Sequence, residues 1–341
     1  MAKYVLVSDT TLSHDYRNFP LLDFLPSAPT SGVPSRIYKY LKGRPSPAYE
    51  NGRAQFATYP LRKLEASLLR QYSVEDVVVA HEDHIEEFID EDTELIGVTT
   101  MDPLGLAPLT MSYSVFFQTN APAYVHREFT TLMQRINRAR KGKKTKLVVG
   151  GPGVWELTIR PEELDNLNID YAFQGESEDI ICDLFKYLSE GSLPNNEFYR
   201  GFQTFDTDFH KQFIGNPKFV SRYQFSRQFP KLEDIPEIVN PSIKGMVEVM
   251  RGCGIGCDFC EVTLRPLRYY PPEKVRKELE VNVRAGVNHA WLHSDEIFAF
   301  EHGKNFVPNF EAIEELMTYV METKGIMHSN PTHGRISIPA A

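Results

Sequence analysis

The chain is predicted to be α/β, with a doubly wound parallel sheet first and the opening of a second βα unit after it. Two observations carry this. Over residues 1–195, apolar β-branched runs alternate with stretches of helical periodicity, the pattern of a parallel sheet covered by helices. From Lys244 onward the same alternation starts again. Between them, residues 196–243 are weakly periodic and rich in Phe, Asn and Pro (Phe198, Phe202, Phe205, Phe209, Phe213, Phe219). They read as an interdomain connection that packs aromatics. The expected organisation is therefore 1–195, a connection over 196–243, and 244–341.

Taken in order, the first strand is residues 4–8, followed by a long Pro-, Ser- and Thr-rich loop from Asp9 to about Pro34. Loops of that length are functional or poorly ordered. Further strands are expected at 76–80, 95–99, 146–150 and 171–173, with helices at 61–72, 84–89, 123–139, 162–166 and 178–190. Sheets of this kind bind ligands in the crevice beyond the carboxyl ends of their strands. In the second unit a strand over 245–250 leads into a cysteine loop. A helix over 272–285 begins at proline and is followed by Gly286. Residues 289–293 read as a strand, 310–323 as a helix and 325–329 as a strand. Internal repeats and low-complexity tracts are absent from the sequence.

Composition narrows the function classes. The chain has 341 residues, 42% apolar and 24% charged, ordinary values for a globular protein of about two domains. A net charge of −9 argues against a general nucleic-acid binder. No run approaches the ~18 apolar residues of a membrane span, and Met1-Ala-Lys-Tyr-Val-Leu-Val-Ser turns polar too soon for a signal peptide. Three of the four cysteines fall within eight residues, which is no secreted disulfide framework. A reducing cytoplasm is the expected compartment.

Those three cysteines stand in Met250-Arg-Gly-Cys253-Gly-Ile-Gly-Cys257-Asp-Phe-Cys260. Three thiolates on one short loop form a chelate, one ligand short of a closed iron–sulfur or zinc site, and open metal positions are where chemistry occurs. Gly252, Gly254 and Gly256 let the loop fold round a bulky inorganic core. The competing reading is a zinc knuckle or buried free cysteines, but zinc sites usually carry a second cysteine pair. A fourth ligand could come from His289, His293 or Cys182, although Cys182 lies in an apolar helical stretch that suits packing.

At these residues the chain resembles the radical SAM superfamily, whose signature is three cysteines spaced CxxxCx(aromatic)C after the first strand of a βα barrel. The resemblance implies that Cys253, Cys257 and Cys260 hold three irons of a 4Fe–4S cluster. S-adenosylmethionine would chelate the fourth iron and be cleaved reductively to a 5′-deoxyadenosyl radical. It also places Phe259 and the polar segment Ser294-Asp295-Glu296 at S-adenosylmethionine, because the methionyl ammonium needs acceptors. This segment departs from the Gly-Gly-Glu pattern frequent there. The plainer reading is a polar strand end capping the next helix.

In the first domain, Gly150-Gly-Pro-Gly153-Val-Trp155 and Gln174-Gly-Glu-Ser-Glu178 each follow an expected strand. Glycines there allow close approach of a ligand, though Gly-Pro pairs are mostly turns. Together, upstream of the cysteine motif, they resemble the Rossmann-like cobalamin-binding domain of the B12-dependent radical SAM class. The resemblance implies that Gly150, Gly151, Gly153, Gly175 and Glu176 line the corrin or its tail, with Asp102 and Gly105 on the neighbouring loop. Many cobalamin domains offer cobalt a histidine from that loop. Here it reads Thr100-Met-Asp102-Pro-Leu-Gly105-Leu-Ala-Pro108, without histidine. The alternative is a regulatory or vestigial module without cofactor.

The resemblance thus implies a cobalamin-dependent radical SAM enzyme, a C-methyltransferase on an unactivated carbon, served by a ferredoxin- or flavodoxin-type electron donor. The alternatives are radical ring formation or carbon–carbon coupling, and a non-catalytic metal-binding module that recruits a partner. About three βα units fit between Lys244 and Ala341, against six in a radical SAM core. The expectation is a truncated chain or a barrel completed by a second polypeptide, because open sheet edges need cover. Two charged stretches are read as surface: the basic residues of 135–146 as a solvated helix end, and His81 and His84 among Glu82, Asp83, Glu86 and Glu87 as a surface helix start rather than a metal site. Tyr269 and Tyr270 are expected to close the cysteine loop.

Overall fold

The computed structural model describes residues 2–192, 216–226, 228–254 and 265–334. The chain divides into two compact units between Gln228 and Phe229. The expected residues Cys257, Phe259 and Cys260, and the aromatics Phe198, Phe202, Phe205, Phe209 and Phe213, lie outside the described residues.

The first unit is built on one parallel sheet. Its strands are β1 (Tyr4–Ser8), β2 (Val77–Val79), β3 (Leu95–Thr99), β4 (Lys146–Gly150), β5 (Tyr171–Gln174) and β6 (Phe219–Ser221), ordered β2-β1-β3-β4-β5-β6. Register is fixed by pairs such as Val5↔Ile96 and Val98↔Val149. Every residue of β1 and β3 is buried, as expected of strands covered on both faces. Period-two alternation then divides their side chains: Val5, Val7, Ile96 and Val98 join one core, and Tyr4, Leu6 and Leu95 the other.

Helices cover both faces. In chain order they are α1 (Ser35–Lys42), α2 (Tyr59–Leu68), α3 (Pro108–Phe116), α4 (Tyr124–Ala139), α5 (Val154–Ile159), α6 (Glu162–Asn166) and α7 (Ile181–Glu190). The longest, α4, buries Phe129, Leu132, Met133 and Ile136, a 3.6-period stripe on the first core. On the opposite face, α2 supplies Leu61 and Leu68, and α7 supplies Ile181, Leu184, Phe185 and Leu188.

The long loop after β1 is ordered. It holds a run of 3₁₀ turns and then α1. Tyr16 Oη donates to Thr11 O at 2.7 Å, and Lys42 Nζ to Thr10 Oγ1 at 2.7 Å. The Tyr38 and Tyr124 rings stack with centroids 3.6 Å apart.

Two surface expectations need correction. His81 and Glu82 are buried, because the loop that carries Ser13 and Ser46 covers them: Ser13 Oγ donates to Glu82 at 2.5 Å, and His81 Nε2 bonds Ser46 O at 2.7 Å. Arg140 is likewise buried at the end of α4, where its guanidinium takes Thr145 O at 3.0 Å and the Asp170 carboxylate.

The stretch expected as a connection is divided between the units. Residues 219–221 form the sixth strand through Phe173↔Val220 pairing with β5. Residues further on are tied to the second unit's first helix. Ile238 N–H donates to Glu278 Oε1 at 3.2 Å, and Ser242 N–H to Asn282 Oδ1 at 2.8 Å.

The second unit has a parallel sheet of β7 (Met246–Glu248), β10 (His289–His293) and β11 (His328–Pro331), with β10 central. Helices α8 (Pro272–Arg284) and α9 (Phe310–Met321) make the crossovers. Immediately after β7 come two short strands the sequence did not signal, β8 (Met250–Arg251) and β9 (Arg268–Tyr269), paired antiparallel. Among the described residues, no helix is long and apolar enough to cross a membrane.

Candidate functional site

In the second unit the chemistry-bearing loop leaves and re-enters through a narrow neck. The pairs Met250↔Tyr269 and Arg251↔Arg268 hold its two ends together. Gly252 follows at φ +78°, where an added Cβ would lie 2.6 Å from Arg265 O, so only glycine lets the two sides of the neck approach this closely. Cys253 is buried directly above it. Below, the Glu248 carboxylate takes Arg251 Nε at 2.9 Å, and Arg251 Nη2 reaches Tyr270 Oη at 3.4 Å. Tyr270 is buried, and Tyr269 Oη donates to Ala299 O at 3.1 Å.

The polar segment after β10 meets this neck. Asp295 Oδ2 accepts the Gly252 N–H at 2.8 Å. Glu296 is buried, and its Oε1 caps the following 3₁₀ turn by accepting from Phe298 N at 3.2 Å. Ser294 is buried too, and its Oγ has no hydrogen-bond partner among the described residues. Three adjacent polar residues thus have three placements: one holds the neck, one caps a turn, and one keeps a free polar atom. Of the other ligand candidates, His289 Nε2 is bonded to Asn330 Oδ1, and Cys182 Sγ packs on α7 with Ser67 O at 3.6 Å. Among the described residues no group of three His, Cys, Asp or Glu could hold a metal.

The Asp295 bond makes a prediction. Asp295→Ala should weaken the neck by about 1–3 kcal/mol, the cost of leaving a buried donor unpaired. Asp295→Asn, whose carbonyl oxygen still accepts, should recover most of it. Urea denaturation of the three proteins checks this, and equal losses in Ala and Asn would contradict it.

In the first unit the glycine-bearing loops converge on one sheet edge. Thr100–Gly105 leaves β3, Gly150–Gly153 leaves β4, and Gly175–Glu176 leaves β5, all at carboxyl ends of parallel strands. The strand order reverses between β1 and β3, the position where such sheets usually take a ligand. Here the reversal is occupied by protein: Asp9 is fully buried, accepts Thr11 N at 2.9 Å and receives Thr100 Oγ1 at 3.4 Å. Burial pushes its carboxyl up to about 6, against the pull of Thr11 and Lys42. Burial and then Lys42 push His14 nearby down to about 4.

Several of the glycines make room for the chain itself. A Cβ on Gly151 (φ +96°) would lie 2.6 Å from Thr100 O, and one on Gly153 2.5 Å from Met101 C. The β4 loop is therefore pressed against the β3 loop, and Gly153 N–H donates to Thr100 O at 3.1 Å. A Cβ on Gly175 (φ +112°) would meet Arg222 Cβ at 2.8 Å. At Gly150 the nearest atom is Phe173 O at 3.8 Å, which leaves the edge accessible.

Arg222 is a residue the sequence gave no reason to single out. It is buried and binds Asp179 through both oxygens, at 2.5 and 2.8 Å, while its Nη1 donates to Glu176 O at 2.9 Å. It thereby fixes the Gly175–Asp179 loop. Asp102 is also turned inward: Oδ1 accepts Ala107 N at 3.0 Å and Oδ2 accepts the Thr110 hydroxyl. Apolar surface is also exposed here, with Met101 on the β3 loop and Leu109, Met111, Val115 and Phe116 on α3, which follows it.

No protein-family model matches the chain, and no curated protein matches it in sequence. Solved structures do. Two are of the radical S-adenosylmethionine methyltransferase TsrM from Kitasatospora setae, one with cobalamin and a 4Fe–4S cluster bound, the other with tryptophan substrate and the analogue aza-SAM. Each match covers 94% of this chain at 16% identity, with TM-scores of 0.49 and 0.51 respectively. The chain spans about half of TsrM, 51% of its length. What the match at 0.51 establishes is a shared fold: an α/β chain with a parallel-sheet first unit and a βα second unit, as in TsrM.

Proposed function

We propose that the chain is the cobalamin- and cluster-binding part of a radical SAM enzyme, and that its reaction is methylation of an unactivated carbon. The observation that carries the reading is the neck: a strand–loop–helix in which Gly252 and buried Cys253 open a loop bearing Cys257 and Cys260, with Asp295 holding its base. TsrM, with the same fold, binds cobalamin and a 4Fe–4S cluster.

The residues fit these groups. Cys253, Cys257 and Cys260 supply three soft ligands, as a site-differentiated iron–sulfur cluster requires. The orphaned Ser294 Oγ can accept from an ammonium, and with Glu296 and Phe259 it is the proposed S-adenosylmethionine contact. Asp295 acts through the loop it holds. At the first unit's sheet edge, Gly150 is open, and the apolar surface of Met101 and α3 suits the ring and methyl groups of a corrin. Gly105, Gly151, Gly153, Gly175 and Glu176 frame that edge, and Asp102 shapes it from behind. When bound, the cluster with S-adenosylmethionine would supply the radical, and cobalamin the methyl group. The chain's own part is to bind and orient both, with an external electron donor and a substrate-bearing remainder of the barrel as partners.

Anaerobic reconstitution tests the reading. The purified chain should take up about four irons, show an absorbance band that bleaches with dithionite, and retain hydroxocobalamin through gel filtration. Zinc at about one per chain with no iron would overturn it. Deoxyadenosine formation without cobalamin retention would point instead to ring formation or carbon–carbon coupling.

A further inference from the structure

Glu156, in the first turn of α5, has no part in the reading above, yet it is fully buried beneath the β3 loop. Its Oε2 accepts the Leu104 N–H at 2.7 Å. The neighbouring Asp102 carboxyl strengthens the hold of Glu156 on a proton, and Glu156 Oε1 has no hydrogen-bond partner among the described residues. Asp102 has its own donors in Ala107 N–H and Thr110 Oγ1. Two neighbouring carboxylates out of water resist being ionised together, whereas one proton held between them would turn repulsion into a hydrogen bond. The pair then ties the loop at Leu104 and Ala107, with Gly105 between them at φ +75°.

We propose that Glu156 is a positioning residue: sharing a proton with Asp102, it fixes loop 102–107 in the shape that the cobalamin-binding edge requires. The proposal rests on the cobalamin reading for its purpose, but its geometry belongs to the unliganded chain.

The pH dependence follows from the same pair. Burial, and then Asp102, pushes Glu156 up to about 9 from an ordinary value of 4.5. At neutral pH the folded chain holds a proton there that the unfolded chain has released, so stability declines as pH rises from 4.5 towards about 9. The groups facing the pair from neighbouring helices are Thr110 on α3 and His126 on α4. Burial pushes His126 down, and it feels both Asp102 and Glu163 on α6.

The test uses the full chain, with Glu156→Gln and Glu156→Ala. A glutamine can accept from Leu104 and donate to Asp102, reproducing the neutral acid without its titration. Amide exchange should show Leu104 and Ala107 protected in the wild type at neutral pH, with the protection factor falling by about tenfold or more towards pH 10. Glu156→Gln should keep the protection at both pH values and bind hydroxocobalamin as the wild type does. Glu156→Ala should lose it at neutral pH and bind hydroxocobalamin more weakly. The proposal is overturned if Gln behaves like Ala, or if wild-type protection does not change with pH. Should Ala fail to fold, the Gln pH comparison still decides. If the wild type retains no hydroxocobalamin, the cobalamin reading fails, while the exchange result tests the loop device separately.

Discussion

Cys253→Ala should abolish iron uptake while leaving the chain folded. Cys253 is set before any metal arrives: it is 6% exposed, sits between glycines at φ +78° and φ +67°, and rises from a neck closed by two cross-strand residue pairs and the Asp295 bond. Removing one small buried side chain costs on the order of 1 kcal/mol, whereas removing one of the three proposed cluster ligands would take away the chelate. Iron after reconstitution should fall from about four per chain to below about one, with the thermal midpoint of the unloaded protein shifted by only a few degrees. Cys182→Ala is the matched control. That thiol packs on α7 in the other unit, and burial with Asp183 beside it holds it above its ordinary value, unsuited to thiolate ligation. Its loss should leave iron unchanged. Iron retained in Cys253→Ala, or lost in Cys182→Ala, would contradict the assignment.

How far the sequence could be read depended on whether a segment's residues carried a period. β1, β3 and β4 lie where the apolar runs place them, because strands of five residues give a clear signal. β6 spans three residues, and β8 and β9 two each, too short for any period, so they arise from tertiary pairing alone. α3 was missed for a different reason. It buries only Thr110 and exposes its apolar side chains, so it presents no hydrophobic stripe to recognise.

The proposed site is read from residue type: cysteine spacing and strand-end glycines single out its two loops. What fills the space a glycine leaves is not written locally: a ligand was expected beside Gly151, Gly153 and Gly175, yet at each of them another part of the chain stands where a Cβ would go. Charge misled in the same way. Arg140 and Glu82 read as surface residues, and each is buried because a partner distant in sequence accepts or supplies its hydrogen bonds; Glu156 and Arg222, which carry no local signal, are buried for the same reason.

Arg222→Met should destabilise the first unit strongly, by about 3 kcal/mol. Arg222 is 1% exposed, and its fork binds both oxygens of Asp179 while it also donates to the carbonyls of Glu176 and Gln228. Methionine can fill part of the volume, so the loss is chiefly electrostatic. Breaking one side of a buried pair costs about 3–5 kcal/mol, and the lower end applies because the Asp179 side chain is 33% exposed and regains some water. Lysine should not rescue, since one ammonium cannot reproduce a bidentate fork and two carbonyl bonds. In urea, the midpoint should drop with the slope unchanged. Asp179→Asn should lose less than Arg222→Met, because the two carbonyl bonds survive, and the double variant should be less than additive. The same substitution should loosen Gly175–Asp179, so hydroxocobalamin should dissociate faster from Arg222→Met than from the wild type at a urea-free temperature where both are folded. Equal dissociation rates, with stability lost, would mean that Arg222 supports the sheet but does not shape its binding edge.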